Sequence, residues 1–453
     1  VPNPLRLAFP ADPAVRPALP AVGAERPLML LLGGAIFFGG GGTPAPLGET
    51  MAILCALAAG AWALLRMRDK AAGLASGLLM LAVALPGLAL LQLLPLPASA
   101  VFALPLRAPL AAAYDALGVS PVLHPLTMDP AATRWGLLSL IPPLVALVLA
   151  SRLDRQGVMR IMLALVALAV LSGVLAGLER VGGATFAIYA RSAGTGSGGL
   201  FANQNSQGDF LLIGMIAAIF LSSPKDAALA WFRPLVLLIV AFLALCVLLT
   251  GSRAAIALLA VPLGLYAILN LRVGLSRRSI TFAMLPIAAL ATFLALARDA
   301  TAIATVLDRF ALGADGRLTA IWPDALHLAG VAFPFGTGIG TFPQVFPMVE
   351  RLSVVDTTLA NRAHCDWLEF AIEGGLPAIL LLAGLGAFLV RTTLRKWREG
   401  FMYGDSSMVS IMALVATHSL VDYPLRSISL AVVTAIALGY FGQKPGGRAH
   451  AQV

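Results

Sequence analysis

Asn361-Arg362-Ala363-His364-Cys365-Asp366-Trp367-Leu368-Glu369-Phe370, running on through Ala371-Ile372 into Glu373-Gly374-Gly375-Leu376-Pro377-Ala378, decides how this chain is read. It closes a polar stretch that begins near Arg317 and also holds Gly336-Thr337-Gly338-Ile339-Gly340-Thr341-Phe342. On either side the sequence reads as lipid-soluble helix. Of its 453 residues, 59% are hydrophobic and 12% charged, and the mean hydropathy is +0.90. Soluble domains carry about 25% charged residues. Half that share, with this hydropathy, excludes a soluble globular enzyme and implies an all-α polytopic membrane protein. A chain that dissolves in a bilayer over most of its length, and then presents one long polar insert, works through that insert.

Working outward, a bilayer core about 30 Å thick takes roughly 20 apolar residues in a helix. On that template about twelve spans fall near 28–42, 48–66, 73–94, 133–151, 157–177, 207–223, 232–250, 254–271, 280–297, 376–391, 406–423 and 427–442. Arg26 before Leu28–Phe38 imitates a signal peptide, but the many later spans favour a first membrane helix. Arg66, Arg68 and Lys70, Arg152 and Arg155, Lys225, Arg272, Arg277 and Arg278, and Arg391, Arg395, Lys396 and Arg398 fall on one side, with Lys444 and Arg448. All four lysines lie there. The positive-inside rule makes that side cytoplasmic and places both termini in it.

The plan is then a flexible cytoplasmic tail (1–27), transmembrane spans one to nine (28–297), a large helical periplasmic loop (298–375), spans ten to twelve (376–442) and a cytoplasmic tail (443–453). Loops at 95–132 and 178–206 share the outer side. Cys55, Cys246 and Cys365 are too widely spaced for a disulfide framework, and no cluster has metal-ligand spacing. The net charge of +9 is scattered between spans, so membrane topology and anionic lipid account for it without nucleic acid.

The outer side carries arginine and no lysine: Arg107, Arg134, Arg180, Arg191, Arg253, Arg298, Arg309, Arg317, Arg351, Arg362 and Arg426. Guanidinium is always charged and forks onto phosphate, which suits a phosphate-bearing, lipid-linked substrate. For any single arginine, pairing with Asp299, Asp308, Asp315, Asp324 or Glu350 is the plainer explanation. Arg253 stands apart, in Thr250-Gly251-Ser252-Arg253-Ala254 where two apolar spans meet, because a charge beside lipid marks function by default; its plain alternative is snorkelling to the interface.

Among five histidines, His364 has carboxylates and arginines around it. A helix over 358–374 would put Arg362, Asp366, Glu369 and Glu373 on one face, with His364, Leu368, Ala371 and Gly375 beside it. Such a histidine suits a general base near neutral pH. The plain alternative is an amphipathic helix lying on the bilayer. The Gly336–Gly340 series lacks a Walker lysine and a flanking strand, so it reads as a tight turn under a helix rather than a nucleotide loop.

At these residues the sequence resembles the O-antigen ligases, with the related O-antigen polymerases and protein O-oligosaccharyltransferases. The resemblance rests on Gly199-Leu200-Phe201-Ala202-Asn203-Gln204-Asn205, the Arg253 segment, Gly316-Arg317-Leu318-Thr319-Ala320-Ile321-Trp322, Gly338-Ile339-Gly340-Thr341-Phe342, and above all Ala363-His364-Cys365-Asp366-Trp367-Leu368-Glu369 followed by Glu373-Gly374-Gly375-Leu376-Pro377-Ala378. It covers roughly residues 190–430. Two positions depart from the family pattern: Cys365, usually an amide or hydroxyl residue, and Ala378, usually glycine.

The resemblance implies a GT-C-like, metal-independent, inverting glycosyltransferase of the bacterial inner membrane, without a cofactor, that works at the periplasmic face. Its donor would be a glycan on undecaprenyl diphosphate. His364 would be the base, oriented by Asp366 or Glu369. Arg253 and Arg317, with Arg191 or Arg180 as weaker candidates, would neutralise the diphosphate. Ligation to a lipid A–core acceptor is the leading reading; polymerisation onto another lipid-linked glycan and transfer to a protein hydroxyl share its donor and chemistry. A twelve-span transporter or flippase, or a non-catalytic scaffold, are the readings of another class. The transporter is disfavoured because the charges gather at the outer surface instead of mid-membrane.

Overall fold

The computed structural model describes residues 23–41, 46–67, 73–189, 198–222, 233–271, 316–355, 359–401 and 403–444. It is mostly helical, as an all-α membrane protein requires. In chain order the helices are α1 (Glu25–Phe38), α2 (Pro46–Arg66), α3 (Ser76–Leu93), α4 (Ala98–Phe102), α5 (Ala108–Ala116), α6 (Pro130–Ser139), α7 (Ile141–Ala150), α8 (Arg155–Gly182) and α9 (Gln204–Leu221). There follow α10 (Arg233–Leu249), α11 (Arg253–Leu258), α12 (Ala260–Leu271), α13 (Gly316–Ala332), α14 (Phe342–Val345), α15 (Asp366–Glu399), α16 (Tyr403–His418) and α17 (Ile428–Phe441). Among the described residues, five helical stretches are long and apolar enough to cross a membrane: Pro46–Arg66, Ser76–Leu93, Pro130–Ala150, Arg155–Glu179 and Asp366–Glu399. Leu235–Leu249, Arg253–Leu269 and Ile428–Phe441 are shorter apolar helices. The span expected at 280–297 lies outside the described residues.

Proline explains where two expected spans break. Pro142 and Pro143 have no N–H for the carbonyls of Leu138 and Ser139, so 130–150 divides into α6 and α7. Pro262 does the same to the carbonyl of Leu258 and separates α11 from α12. At the centre stands α9, buried without interruption from Ser206 to Ile219, as a helix enclosed on every side must be. It packs against α8, α10, α11, α12 and α16. α17 packs on α7 and α1, where Gly439 lets its backbone approach the Leu147 carbonyl too closely for any side chain.

A second, smaller core lies under the polar insert. It joins α13 (Ala325, Leu328), α14 and the following turn (Phe342, Val345, Phe346), Ala363 and Ile372. Beside it the 95–132 loop is ordered by an antiparallel pair, β1 (Pro95–Pro97) and β2 (Leu123–Pro125). His124 packs between Phe102 and Tyr114 there, with Nδ1 2.7 Å from the Pro125 carbonyl, which makes it a packed core histidine.

The insert is joined to the membrane helices at a break in α15. Gly375 has φ +60, inside an otherwise helical run. Pro377 cannot donate to the Glu373 carbonyl four residues back. That carbonyl instead accepts Gly338 N at 2.9 Å and Gln92 Nε2 at 2.9 Å. The Ile372 carbonyl accepts Thr337 N at 3.1 Å, while Leu376 N turns to the Pro334 carbonyl at 2.8 Å. The glycine series is therefore a turn that satisfies the backbone of a kinked helix. Arg107 locks it from behind, donating to the carbonyls of Gly336 (2.8 Å), Pro105 (3.0 Å) and Leu126 (3.1 Å). Burial lowers the Arg107 pKa to about 10, and these three acceptors are neutral carbonyls.

A side chain at Gly375 would meet the Pro334 carbonyl. Gly375→Val is therefore expected to destabilise the protein by at least the about 1–3 kcal/mol of a residue forced into the left-handed region. Gly386→Val, later in the same helix where an added Cβ meets nothing, is expected to stay within about 0.5 kcal/mol of wild type. Thermal unfolding in detergent compares the two.

Candidate functional site

Helix α15 starts later than the spacing suggested. The expected helix over 358–374 begins at Asp366, and the described residues before it, 359–365, are not helical. His364 sits at φ +50, a left-handed conformation that histidine adopts more readily than most residues. Two carboxylates of the first turns of α15 shape the chain around it. Glu369 accepts the backbone N–H of Ala363 at 2.9 Å and Arg362 Nη1 at 3.0 Å. Asp366 reaches the segment that follows α16: its Oδ2 accepts Ser419 Oγ at 2.9 Å and Leu425 N at 3.0 Å. Its backbone N–H lies 3.0 Å from the Ser419 carbonyl and 3.2 Å from that of Asp422.

These contacts bring together side chains far apart in sequence. His364 Nδ1 lies 3.1 Å from Asp422 Oδ1. Asp422 Oδ2 accepts Asn205 Nδ2, from the first turn of α9, at 2.6 Å. The Tyr423 ring packs on the imidazole with centroids 5.0 Å apart. Because an ionised carboxylate only accepts, the hydrogen is assigned to Nδ1, which leaves Nε2 with its lone pair. The side chain of His364 is 13% exposed and that of Asp422 4%. The carboxylate within hydrogen-bond distance of His364 is thus Asp422, and the contacts of Asp366 and Glu369 described above go elsewhere. Asp366 and Glu369 are engaged one step away, holding the two loops that carry the pair.

Arg426 closes the arrangement from the turn before α17. It lies 3.0 Å from Glu373, 3.3 Å from Glu369 and 3.7 Å from Asp366. Burial would lower its pKa, but the charges of Glu369, Glu373 and Asp366 outweigh that and raise it above the ordinary arginine value. Arg426 is therefore a fixed cation inside an acidic cluster. Arg351 is held likewise by Asp324 at 2.6 Å. Burial also pushes the Cys365 thiol up, further helped by the Asp366 and Glu369 charges; a thiol so raised stays protonated and is a poor nucleophile.

Arg253 opens α11, where Ser252 Oγ accepts Ala255 N at 3.2 Å. This turn rests on α9: an added Cβ at Gly208 would meet Ala255 Cβ and come 3.8 Å from Ser252 Cβ. Gly208 follows Asn205 by three residues, on the same helix face. The start of α11 and the His364–Asp422–Asn205 group therefore both border the N-terminal part of α9 along one face. Arg317 is in the first turn of α13 and Arg180 in the last turn of α8, both with side chains outside the description, and Arg191 lies outside the described residues. Among the described residues, no group of three or more His, Cys, Asp or Glu is placed to hold a metal ion.

Asn205, Asp422 and Arg426 were not assigned to the site from sequence. One signal was present for Asp422: it is an ionisable residue at the end of an apolar run, a pattern that marks function by default.

Residues 235–383, a third of the chain, match the family model described as O-antigen ligase. That segment contains Arg253, Arg317, His364, Asp366, Glu369 and Glu373. Among curated proteins, none matches the chain.

Proposed function

Because residues 235–383 match the O-antigen ligase family model, we propose that the chain is a multi-pass bacterial inner-membrane glycosyltransferase of the O-antigen ligase and polymerase superfamily. It moves a glycan from undecaprenyl diphosphate to the lipid A–core at the periplasmic face. In this reading twelve spans, 28–297 and 376–442, flank the periplasmic loop 298–375, and both termini are cytoplasmic. The observation that carries the reading is the His364–Asp422 pair at 3.1 Å, which joins the polar insert to the segment after α16.

The chemistry follows from those residues. An acceptor hydroxyl oxygen attacks the anomeric carbon of the donor sugar. The bond from that carbon to the diphosphate oxygen breaks, and the electron pair leaves with the diphosphate. The hydroxyl proton passes to His364 Nε2, and Asp422 stabilises the imidazolium through Nδ1–H. Diphosphate needs no protonation to depart, only neutralisation of its charge by placed cations. Arg253 and Arg317 are assigned that role, with Arg191 or Arg180 as weaker candidates. Direct displacement inverts the anomeric centre and needs no metal or cofactor. Asp366, Glu369 and Arg426 keep the His364 and Asp422 loops together.

Asp422→Asn, which keeps shape and removes charge, is expected to lower kcat about 10²-fold, within the range for a general-base system. The donor KM stays near wild type. Asn205→Ala removes one hydrogen bond to a charged group, worth about 1.5–3 kcal/mol, and is expected to slow transfer roughly ten- to hundredfold. The assay uses purified protein, lipid-linked donor and lipid A–core, with the anomeric configuration of the product read by NMR. Retention of configuration, or wild-type kcat in Asp422→Asn, would refute the mechanism.

A further inference from the structure

A second histidine–aspartate pair lies one helical turn deeper than the first. His418 Nδ1 is 2.6 Å from Asp209 Oδ1, and both side chains are 0% exposed. Asp209 belongs to α9 and His418 ends α16. Neither side chain is open to solvent, and neither is needed by the mechanism above. The remaining atoms of the pair, Asp209 Oδ2 and His418 Nε2, are buried without a hydrogen-bond partner. Such an arrangement is expensive. Replacing a buried ionisable pair with apolar residues of similar volume is often neutral or stabilising, so packing alone does not account for keeping this one.

Its position does. Asp209 follows Asn205 by four residues and lies on the same face of α9. His418 precedes Asp422 by four residues, and the Asp422 N–H donates to the His418 carbonyl at 2.9 Å, continuing the helical turn past the end of α16. The Asn205–Asp422 contact and the Asp209–His418 contact are therefore two successive rungs across one seam. Each of the two segments contributes one residue to each rung. Sliding or rotating α9 against α16 breaks both together. The outer rung is part-buried and keeps Asp422 aimed at His364. The inner rung is sealed and fixes the register in which that aim is possible.

We propose that Asp209 and His418 are positioning residues for the transfer reaction: a buried pair that holds Asn205 and Asp422 in register and so keeps Asp422 on His364 Nδ1. This rests on the reading of His364 and Asp422 as the reacting pair, but its primary test does not need turnover.

The full-length protein, 15N-labelled at histidine in detergent or nanodiscs, is observed by NMR for the downfield Nδ1–H proton that His364 shares with Asp422; His364→Asn identifies the signal. Asp209→Leu/His418→Leu removes the inner rung with apolar bulk, and Asp209→Ala removes it without adding volume. Asp209→Asn keeps an acceptor for His418 Nδ1–H. The expected result is loss or displacement of the His364 signal in both rung-breaking variants and its retention in Asp209→Asn. Where donor and acceptor are supplied, kcat falls about ten- to hundredfold in the rung-breaking variants, the cost of a misplaced catalytic group, with donor KM within about twofold of wild type. An unshifted His364 signal with wild-type kcat in either folded rung-breaking variant overturns the proposal. A shifted signal in a protein that transfers no glycan onto any acceptor upholds the register argument while refuting the assigned reaction.

Discussion

His364→Ala is expected to reduce glycan transfer by about 10²–10⁴-fold, the range for loss of a general base. The protein should still reach the membrane at near wild-type level. The distinction matters because His364 also has φ +50, and alanine tolerates that region poorly. His364→Asn separates the two effects, since asparagine adopts the left-handed region more readily but offers no base of suitable pKa. Both variants should be equally slow, and the asparagine variant should be the more stable. If His364→Asn transfers at the wild-type rate, the base lies elsewhere.

The largest expected effect on stability comes from Arg426→Met. Glu369 and Glu373 have side chains that are 0% exposed, and Asp366 is 6% exposed. Removing their shared cation leaves buried carboxylates without that compensating charge, which costs about 3–5 kcal/mol when a buried ion pair loses one partner. Glu369 retains Arg362, so the penalty falls mainly on Glu373 and Asp366. The expected readings are a much lower thermal midpoint in detergent and reduced abundance in membranes. Arg426→Lys should recover only part, because one ammonium cannot reproduce a planar fork reaching three acids. A wild-type midpoint in Arg426→Met would show that the acidic cluster is held by something other than this guanidinium.

Much of the helical class was legible because it is written in runs of apolar residues interrupted by turn chemistry. The proline breaks after Leu140 and Leu259 required reading which carbonyl each proline starves, a local rule that the span template passes over. His364 was legible for a different reason: its acidic and basic neighbours are near in sequence. Its actual partner was not, because Asp422 comes 58 residues later and is delivered by a fold in which Asp366 grips Ser419 and Leu425. The spacing of Asp366 and Glu369 marks the neighbourhood of His364 but not the contacts these two carboxylates make. Both flank His364, but their oxygens are committed to the backbone, to Ser419 and to arginines. The glycine series was legible as a turn. Its purpose, feeding N–H groups to the carbonyls freed by Gly375 and Pro377, depends on tertiary contact that no single-sequence pattern records.

The proposed activity is tested most directly by locating the product. Purified protein is given a glycan on undecaprenyl diphosphate together with lipid A–core, and the glycan is traced by mass. Its covalent appearance on lipid A–core is expected with the wild type, and its near absence with His364→Asn. Lengthening of the glycan on undecaprenyl diphosphate, with none on lipid A–core, would contradict ligation; no transfer to any acceptor would contradict the glycosyltransferase reading as a whole.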